Sequence, residues 1–389
     1  MAWRVAQPAA LLRELGHLAK ALCLFSDPHA PIPSDRIAAS DWRASAATVE
    51  GLIFRDSKVN LSEGIDELVI VPDGALWYLP FEILPAASAA DPGGDVVEGE
   101  GASAPLLRDR CRIRYAPTRA LAVAGSPRPN PDGPPAVAAP IAIHAGHPPR
   151  GEKPEVFADA APRLAASIGP SVSITAPPGA HAAMPPLLAA SLCDGLVVLD
   201  EIDLTGDAPL SSRLLLGRVS DRATRGGATF GDWLSAPRKR PSRVVLPGTQ
   251  TPMAAGLTKP ASRPGEELFL AATDLLGAGA RTVLMSRWRM GGKTSVDLTA
   301  EFLRDTDDVG ANRAASWSRA VDVVSREEPD PTLEPRLRVA GQSLPTDLRH
   351  PLFWAGYMLV DGGMSAPVTV PPAGNAGPKP AAARGRGAK

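Results

Sequence analysis

Three thiols and six imidazoles are the nucleophiles and bases of this 389-residue chain, and their spacing limits its chemistry. Cys23, Cys111 and Cys193 are odd in number and far apart. That is neither a disulfide framework nor a CxxC metal site, so they read as reduced, partly buried thiols. His144 and His147 share the stretch HAGHP at the end of an apolar run. Two histidines without a third ligand fall short of a metal site and read as polar loop residues. Asp200, Glu201, Asp203 and Asp207 crowd another strand exit, where a solvated loop is the plainer reading than a cation site. GGKTS, Gly291 to Ser295, lies between a strand and a helix as a phosphate loop does. That motif also needs a glycine five positions before the Gly-Lys pair, where Arg287 stands. A βα loop with a solvated Lys293 competes with an anion resting on the following helix N-terminus. PRKRP, Pro237 to Pro241, reads as an exposed basic loop open to an acidic partner. The stretch RVVLPGTQTP, Arg243 to Pro252, is a buried-strand run followed by Pro, Gly and small polar residues. In open parallel sheets such exits are where ligands bind, yet this one offers no Cys, His or Ser.

The elements that must position these residues follow from periodicity. Leu11, Leu12, Leu15, Leu18, Ala19 and Leu22 recur at the helical period, and a second helix is expected over Ser45 to Phe54. Residues 1–60 thus form a helical N-terminal extension, too short for a solenoid. ELVIVPDGALWYLPFEILP, from Glu67, predicts a strand, a turn and a hairpin-like return. Residues 86–106 read as a mobile acidic loop, residues 126–135 as a Pro-rich linker and residues 364–389 as a disordered, weakly basic tail. Strand-like runs begin at Cys111, Ile141, Ser171, Gly195, Arg243, Arg281 and Leu352. Helical stretches begin at Ala180, Glu266, Ser295 and Asn312. Strands alternating with helices predict an α/β fold with a mostly parallel sheet covered on both faces.

The order of these segments is more specific than any one of them. LVIVPDGALWYLPFEILP followed by IRYAPT resembles the opening of the CHAT domain, a caspase-like domain often found with tetratricopeptide repeats. GLVVLDEIDLTGDAPLSSRLLLG, RVVLPGTQTP, ELFLAATDLLGAGARTVLMSRW and HPLFWAGYMLVDG continue in that family's order, from about Glu67 to Gly362. The resemblance implies a caspase-like α/β/α sandwich over residues 61–363. It also implies a His and a Cys at the ends of neighbouring strands, the thiolate attacking a carbonyl and the imidazole moving its proton. Counting from Pro209 and Leu210 puts the His position on Glu201, and counting from Val245 and Leu246 puts the Cys position on Thr249. Where the family commonly has acidic residues after its Ser-x-Trp strand, this chain reads Arg289, Met290, Gly291, Gly292. No Cys or His lies between Cys193 and His350, so a shift in register does not restore the pair. A threonine hydroxyl needs a well-placed base near neutrality, and a carboxylate with an ordinary pKa of about 4 is poorly matched to that task.

The resemblance therefore implies a pseudopeptidase with no intact catalytic residue, serving as a protein-interaction or regulatory module. A pocket lined by Asp200, Gly248, Ser286, Trp288 and Lys293 is expected at the site. One alternative is a cysteine endopeptidase whose nucleophile is Cys193, and another is nucleotide or anion binding at residues 291–295. Near-equal charge, 41 basic against 42 acidic residues, argues against a nucleic-acid coat. Arg4, Arg13, Glu14 and Lys20 interrupt any signal-peptide core, and no apolar run reaches the ~18–20 residues of a membrane span. A cytoplasmic protein with protein partners, and without cofactor or metal, is the expectation.

Overall fold

The computed structural model describes residues 7–25, 30–54, 64–86, 104–123, 140–145, 154–173, 192–204, 208–212, 229–235, 241–259, 263–304, 312–338 and 347–362. Its centre is an eight-stranded sheet. In chain order the strands are β1 (Glu67–Ile70), β2 (Arg112–Tyr115), β3 (Ile141–His144), β4 (Ser171–Ser173), β5 (Gly195–Val198), β6 (Arg243–Leu246), β7 (Thr282–Ser286) and β8 (Tyr357–Asp361). Across the sheet they run β1-β2-β8-β7-β6-β5-β3-β4. The five strands from β7 to β4 are parallel, and β1, β2 and β8 are parallel to one another. The two blocks meet at one antiparallel seam, with Thr282 opposite Asp361 and Ser286 opposite Tyr357. Every residue of β3, β5, β6, β7 and β8 is buried, which explains their near-continuous apolar runs. The edge strands are less enclosed, and β4 carries serines at both ends.

Helices cover both faces, giving the α/β/α sandwich expected. They are α1 (Pro8–Ala21), α2 (Trp42–Phe54), α3 (Pro154–Ser167), α4 (Glu266–Gly277), α5 (Gly292–Arg304) and α6 (Arg313–Val324). On one face α3, α5 and α6 pack side by side. Trp317 of α6 meets the ring of Tyr357 edge-on, and Ser295 of α5 bonds that tyrosine's hydroxyl. α6 starts where a cap residue allows: Asn312 Oδ1 accepts the Ala315 N–H at 3.1 Å. Elsewhere α1 packs on α2, burying Leu11, Leu15 and Leu18.

Two sequence expectations change. ALWYLPFEIL does not return as a strand. It forms two short 3₁₀ turns, Gly74–Tyr78 and Phe81–Ile83, and β1 pairs in parallel with β2 instead. Pro80, between the turns, has no N–H for a central ladder, and the turns bury Trp77, Phe81 and Ile83 without one. Pro85 bridges Leu106 and Ala86 N–H donates to the Pro105 carbonyl, while residues 87–103 of the expected acidic loop lie outside the described residues. The second helix begins at Trp42 rather than Ser45. The helix expected from Ala180, the linker at 126–135, the tail at 364–389, His147, Asp207 and the basic residues of PRKRP lie outside the described residues.

Arg287, at the end of β7, ties the layers together. It is wholly buried. Its Nε donates to the Trp77 carbonyl at 3.0 Å, and NH1 donates to the carbonyls of Ala355 (3.3 Å) and Tyr357 (2.9 Å). Its guanidinium lies 4.7 Å from the Tyr115 ring centre. The Tyr115 hydroxyl donates to Glu82 at 2.7 Å. Burial pushes the Glu82 carboxyl up, against the pull of the Arg287 charge. Arg287→Met is expected to cost about 3–5 kcal/mol in urea unfolding, because it strands a buried carboxyl group and three carbonyls. Arg287→Lys does not rescue it, since one ammonium cannot reproduce the planar fork.

His350 opens the turn before β8. Its Nδ1 accepts the Leu352 N–H at 3.2 Å, and its ring meets Trp42 edge-on. Burial lowers its pKa from 6.5 to about 4, against the opposing pull of Asp347. The neutral ring is thus the form the fold prefers. Its contribution is complete above pH 6.5 and is lost as pH falls towards 4, a swing of about 3 kcal/mol. Chemical denaturation at stepped pH is expected to show that slope, and His350→Gln to flatten it.

Candidate functional site at the carboxyl edge of the sheet

β3, β5, β6 and β7 end together at one edge of the sheet. Their registers align His144 with Val198, Val197 with Val245, and Leu246 with Met285. The chain leaving β5 and the chain leaving β6 stay paired beyond the sheet, with Ile202 opposite Thr249 and Asp203 opposite Gln250. The positions expected to hold a catalytic pair, Glu201 and Thr249, therefore stand on adjacent strand exits. Gly248 makes that pairing close, because a Cβ there would collide with the Asp200 carbonyl oxygen. Its own carbonyl accepts the Ile202 N–H at 2.9 Å.

Thr249 is completely buried, and its hydroxyl is committed to structure. Oγ1 accepts the Ser286 N–H at 2.7 Å and donates towards the Ser286 carbonyl, also at 2.7 Å. The Ser286 hydroxyl lies 3.0 Å away and reaches back to the carbonyls of Pro247 (2.9 Å) and Thr249 (2.6 Å). The two hydroxyls lock the exit of β6 to the end of β7. An attacking Thr249 would have to break that lock first. Glu201 is half-buried, and its Oε1 accepts from Gln250 Nε2 at 2.7 Å. The same amide nitrogen donates to Asp203. The acidic exit is thus bridged by an amide, and no group of three metal-ligating side chains exists among the described residues.

His144 is the residue whose place differs from its reading as a polar loop residue. It is the last residue of β3 rather than a loop residue, and it is buried. Its Nε2 lies 3.5 Å from Oδ2 of Asp200, itself buried at the exit of β5. Each ends an apolar run, IAIH and GLVVLD. That shared position was the available signal, but it needed the β3–β5 adjacency, which chain order does not give.

The residues expected to line one pocket stand in different surroundings among the described residues. Gly248 lines a cleft with Phe157, Leu199, Pro247, Met290 and Ser295, whose free space of about 20 Å³ suits roughly one water. Trp288 lines a separate crevice with Leu15, Leu18 and Met253, while Asp200 and Ser286 are buried. Lys293 is not a waiting phosphate ligand. Its Nζ pairs with Asp297 at 2.5 Å and Glu327 at 3.0 Å. The α5 N-terminus is also taken, by Glu334 Oε1, which accepts from Thr294 N–H (2.7 Å) and Thr294 Oγ1 (2.6 Å).

The thiols sit elsewhere. Cys193 precedes β5, at the sheet's opposite, amino edge. Cys111 donates to the Leu107 carbonyl and Cys23 to that of Ala21. Burial raises the pKa of all three, the reverse of an activated nucleophile.

Fold and edge together are those of an α/β protein with a mostly parallel sheet whose strand exits gather at one edge. The CHAT domain model matches residues 43–362, and the chain belongs to the CHAT domain family. No curated protein sequence matches it. Among solved structures it is similar to separase from Saccharomyces cerevisiae in its securin complex, at 10% identity and a TM-score of 0.40. That likeness covers 77% of this chain and 15% of the separase chain.

Thr249→Val is expected to lower unfolding free energy by about 1–3 kcal/mol, because the Ser286 N–H loses its acceptor in a dry site. Thr249→Ser keeps the acceptor and costs less in the same denaturation series. A sulfur placed by Thr249→Cys is expected to stay unreactive towards a thiol reagent until the protein unfolds.

Proposed function

We propose that this CHAT domain is a catalytically inactive pseudopeptidase kept as a protein-interaction or regulatory module. The observation that carries this reading is the state of Thr249: at the position that the family resemblance assigns to a nucleophile, it is fully enclosed and spends its hydroxyl on Ser286. The neighbouring position carries Glu201, whose carboxylate is held by Gln250. A carboxylate engaged in this way does not serve as a base matched to a threonine at neutral pH. The cysteine-peptidase alternative is weakened by the location of Cys193 at the amino edge and by its raised pKa. Nucleotide binding at residues 291–295 is weakened by the engagement of Lys293 and the α5 N-terminus.

A mixed peptide library incubated with the full chain is expected to return no cleaved product. A peptidyl electrophile selective for thiols is expected to leave Cys23, Cys111 and Cys193 unmodified in the native state. Cleavage abolished by Cys193→Ala, or labelling of one thiol by the folded protein, would overturn the inactive reading. The interaction role is tested by in-cell cross-linking and mass spectrometry. A reproducible partner cross-linked beside Glu201 and Gln250 supports it, and cross-links confined to other faces count against this edge as the docking surface.

A further inference from the structure

α1 lies against the domain as a ligand lies in a groove. Leu11, Leu15, Leu18 and Leu22 fall at i, i+4, i+7 and i+11, and all four are buried. Leu15, Leu18 and Leu22 face Met253, Leu257 and Trp288 across a crevice. Its free space is about 10 Å³, no more than one water needs, so the helix fills the groove. Met253 and Leu257 belong to the short helix Met253–Thr258, which starts three residues after Gln250, and Trp288 follows Ser286 by two. The groove therefore borders the candidate site. Its three residues lie within the span 43–362 that the CHAT domain model matches, and α1 lies before that span.

Apolar contact is what holds the helix there. Among the described residues no hydrogen bond or ion pair joins an α1 side chain to the rest of the domain. Arg13 and His17 both turn to Glu14, each at 3.0 Å. At the end of the helix the Ala21 carbonyl accepts from the Ser40 hydroxyl, itself part of the N-terminal extension. The first turn has no side-chain cap and no acidic residue to offset the helix dipole. A helix of 14 residues is marginal alone in water, so α1 depends on the groove. The groove is anchored from elsewhere. Thr251 Oγ1 donates to the Arg287 carbonyl at 2.7 Å, and Trp288 Nε1 to the Leu352 carbonyl at 3.4 Å.

We propose that α1 is a displaceable cover, and that the groove beneath it docks an amphipathic helix of a partner protein with leucines at the same spacing. α1 itself shows what the groove accepts: aliphatic anchors one and two turns apart, with Arg13, His17 and Lys20 left facing solvent. The proposal rests on the reading of this domain as an interaction module. It fails separately from that reading, because a groove that refuses helices leaves the Glu201 and Gln250 edge open to other partners. It is also independent of lost peptidase activity, since the groove uses neither Glu201 nor Thr249.

The test uses the full chain, with a fluorescent peptide of residues 8–22, PAALLRELGHLAKAL, as the probe. Native-state hydrogen exchange is expected to show the α1 amides exchanging about 100-fold or more faster than those of β7. Leu15→Ala combined with Leu18→Ala weakens the cover. That variant is expected to bind the probe about tenfold or more tightly than the wild type, read by fluorescence polarisation. Adding Leu257→Glu is expected to abolish the gain. The proposal fails if the α1 amides exchange as slowly as those of β7, or if the double variant loses its cooperative unfolding transition. Either result makes α1 an integral part of the fold. It fails equally if the double variant binds the probe no better than the wild type. A concentration-dependent dimer of the wild type by light scattering, lost in Leu257→Glu, would assign the groove to the α1 of a second copy and overturn the partner reading.

Discussion

A guanidinium taken wholly out of water is tolerable only when its surroundings replace the lost hydration, and Arg287 obliges a large part of this fold to do so. Three carbonyls, an aromatic face and the field of a buried carboxyl group come from separate parts of the chain. They are the first 3₁₀ turn, the approach to β8, β2, and the second 3₁₀ turn. None of these can drift without exposing a charge to a dry interior. The 3₁₀ turns are therefore not incidental loops: Trp77 offers its carbonyl because its backbone is not committed to a strand ladder.

β7 ends at Ser286, one residue before Arg287, so the site is set beside the most deeply tied side chain described here. The crossed hydroxyls of Ser286 and Thr249 and the absence of a Cβ at Gly248 draw the ends of β5, β6 and β7 into close packing. Close packing suits rigidity and opposes chemistry. A nucleophile needs freedom to approach a carbonyl and space for the substrate around it. Here the free volume at Gly248 is the size of a water molecule, and the hydroxyls of Thr249 and Ser286 are bonded to backbone carbonyls.

Much of this was legible in the residues. Near-continuous apolar runs such as VVL and TVLM identified buried strands, and the helix-period runs at Glu266 and Asn312 identified their covers. Thr249 and the residue after Glu201 pair with each other beyond the sheet. Three things were not legible. The segment from Ala75 to Leu84 is as apolar as a strand, and the parallel pairing of β1 with β2, together with Pro80, shows why it is not one. His144 looked like a loop residue because its partner, Asp200, lies more than fifty positions away. Lys293 looked solvated because Asp297 is a helical turn ahead and Glu327 lies on a different segment. Each miss involves a long-range contact, and local periodicity contains no information about which distant side chain will arrive.

The antiparallel seam has a consequence for how the molecule is assembled. β1 and β2 belong to the first third of the chain, yet their only connection to β3–β7 within the sheet runs through β8, which ends at Asp361. During synthesis the early pair and the later five-stranded block each present an unfilled inner edge for as long as β8 is missing. The closing strand arrives after both have been made and threads the gap with all five of its residues buried. Completion of the sheet is thus a late, long-range event, and a nascent chain awaiting Tyr357 to Asp361 carries two open strand edges that a chaperone or another copy can meet first.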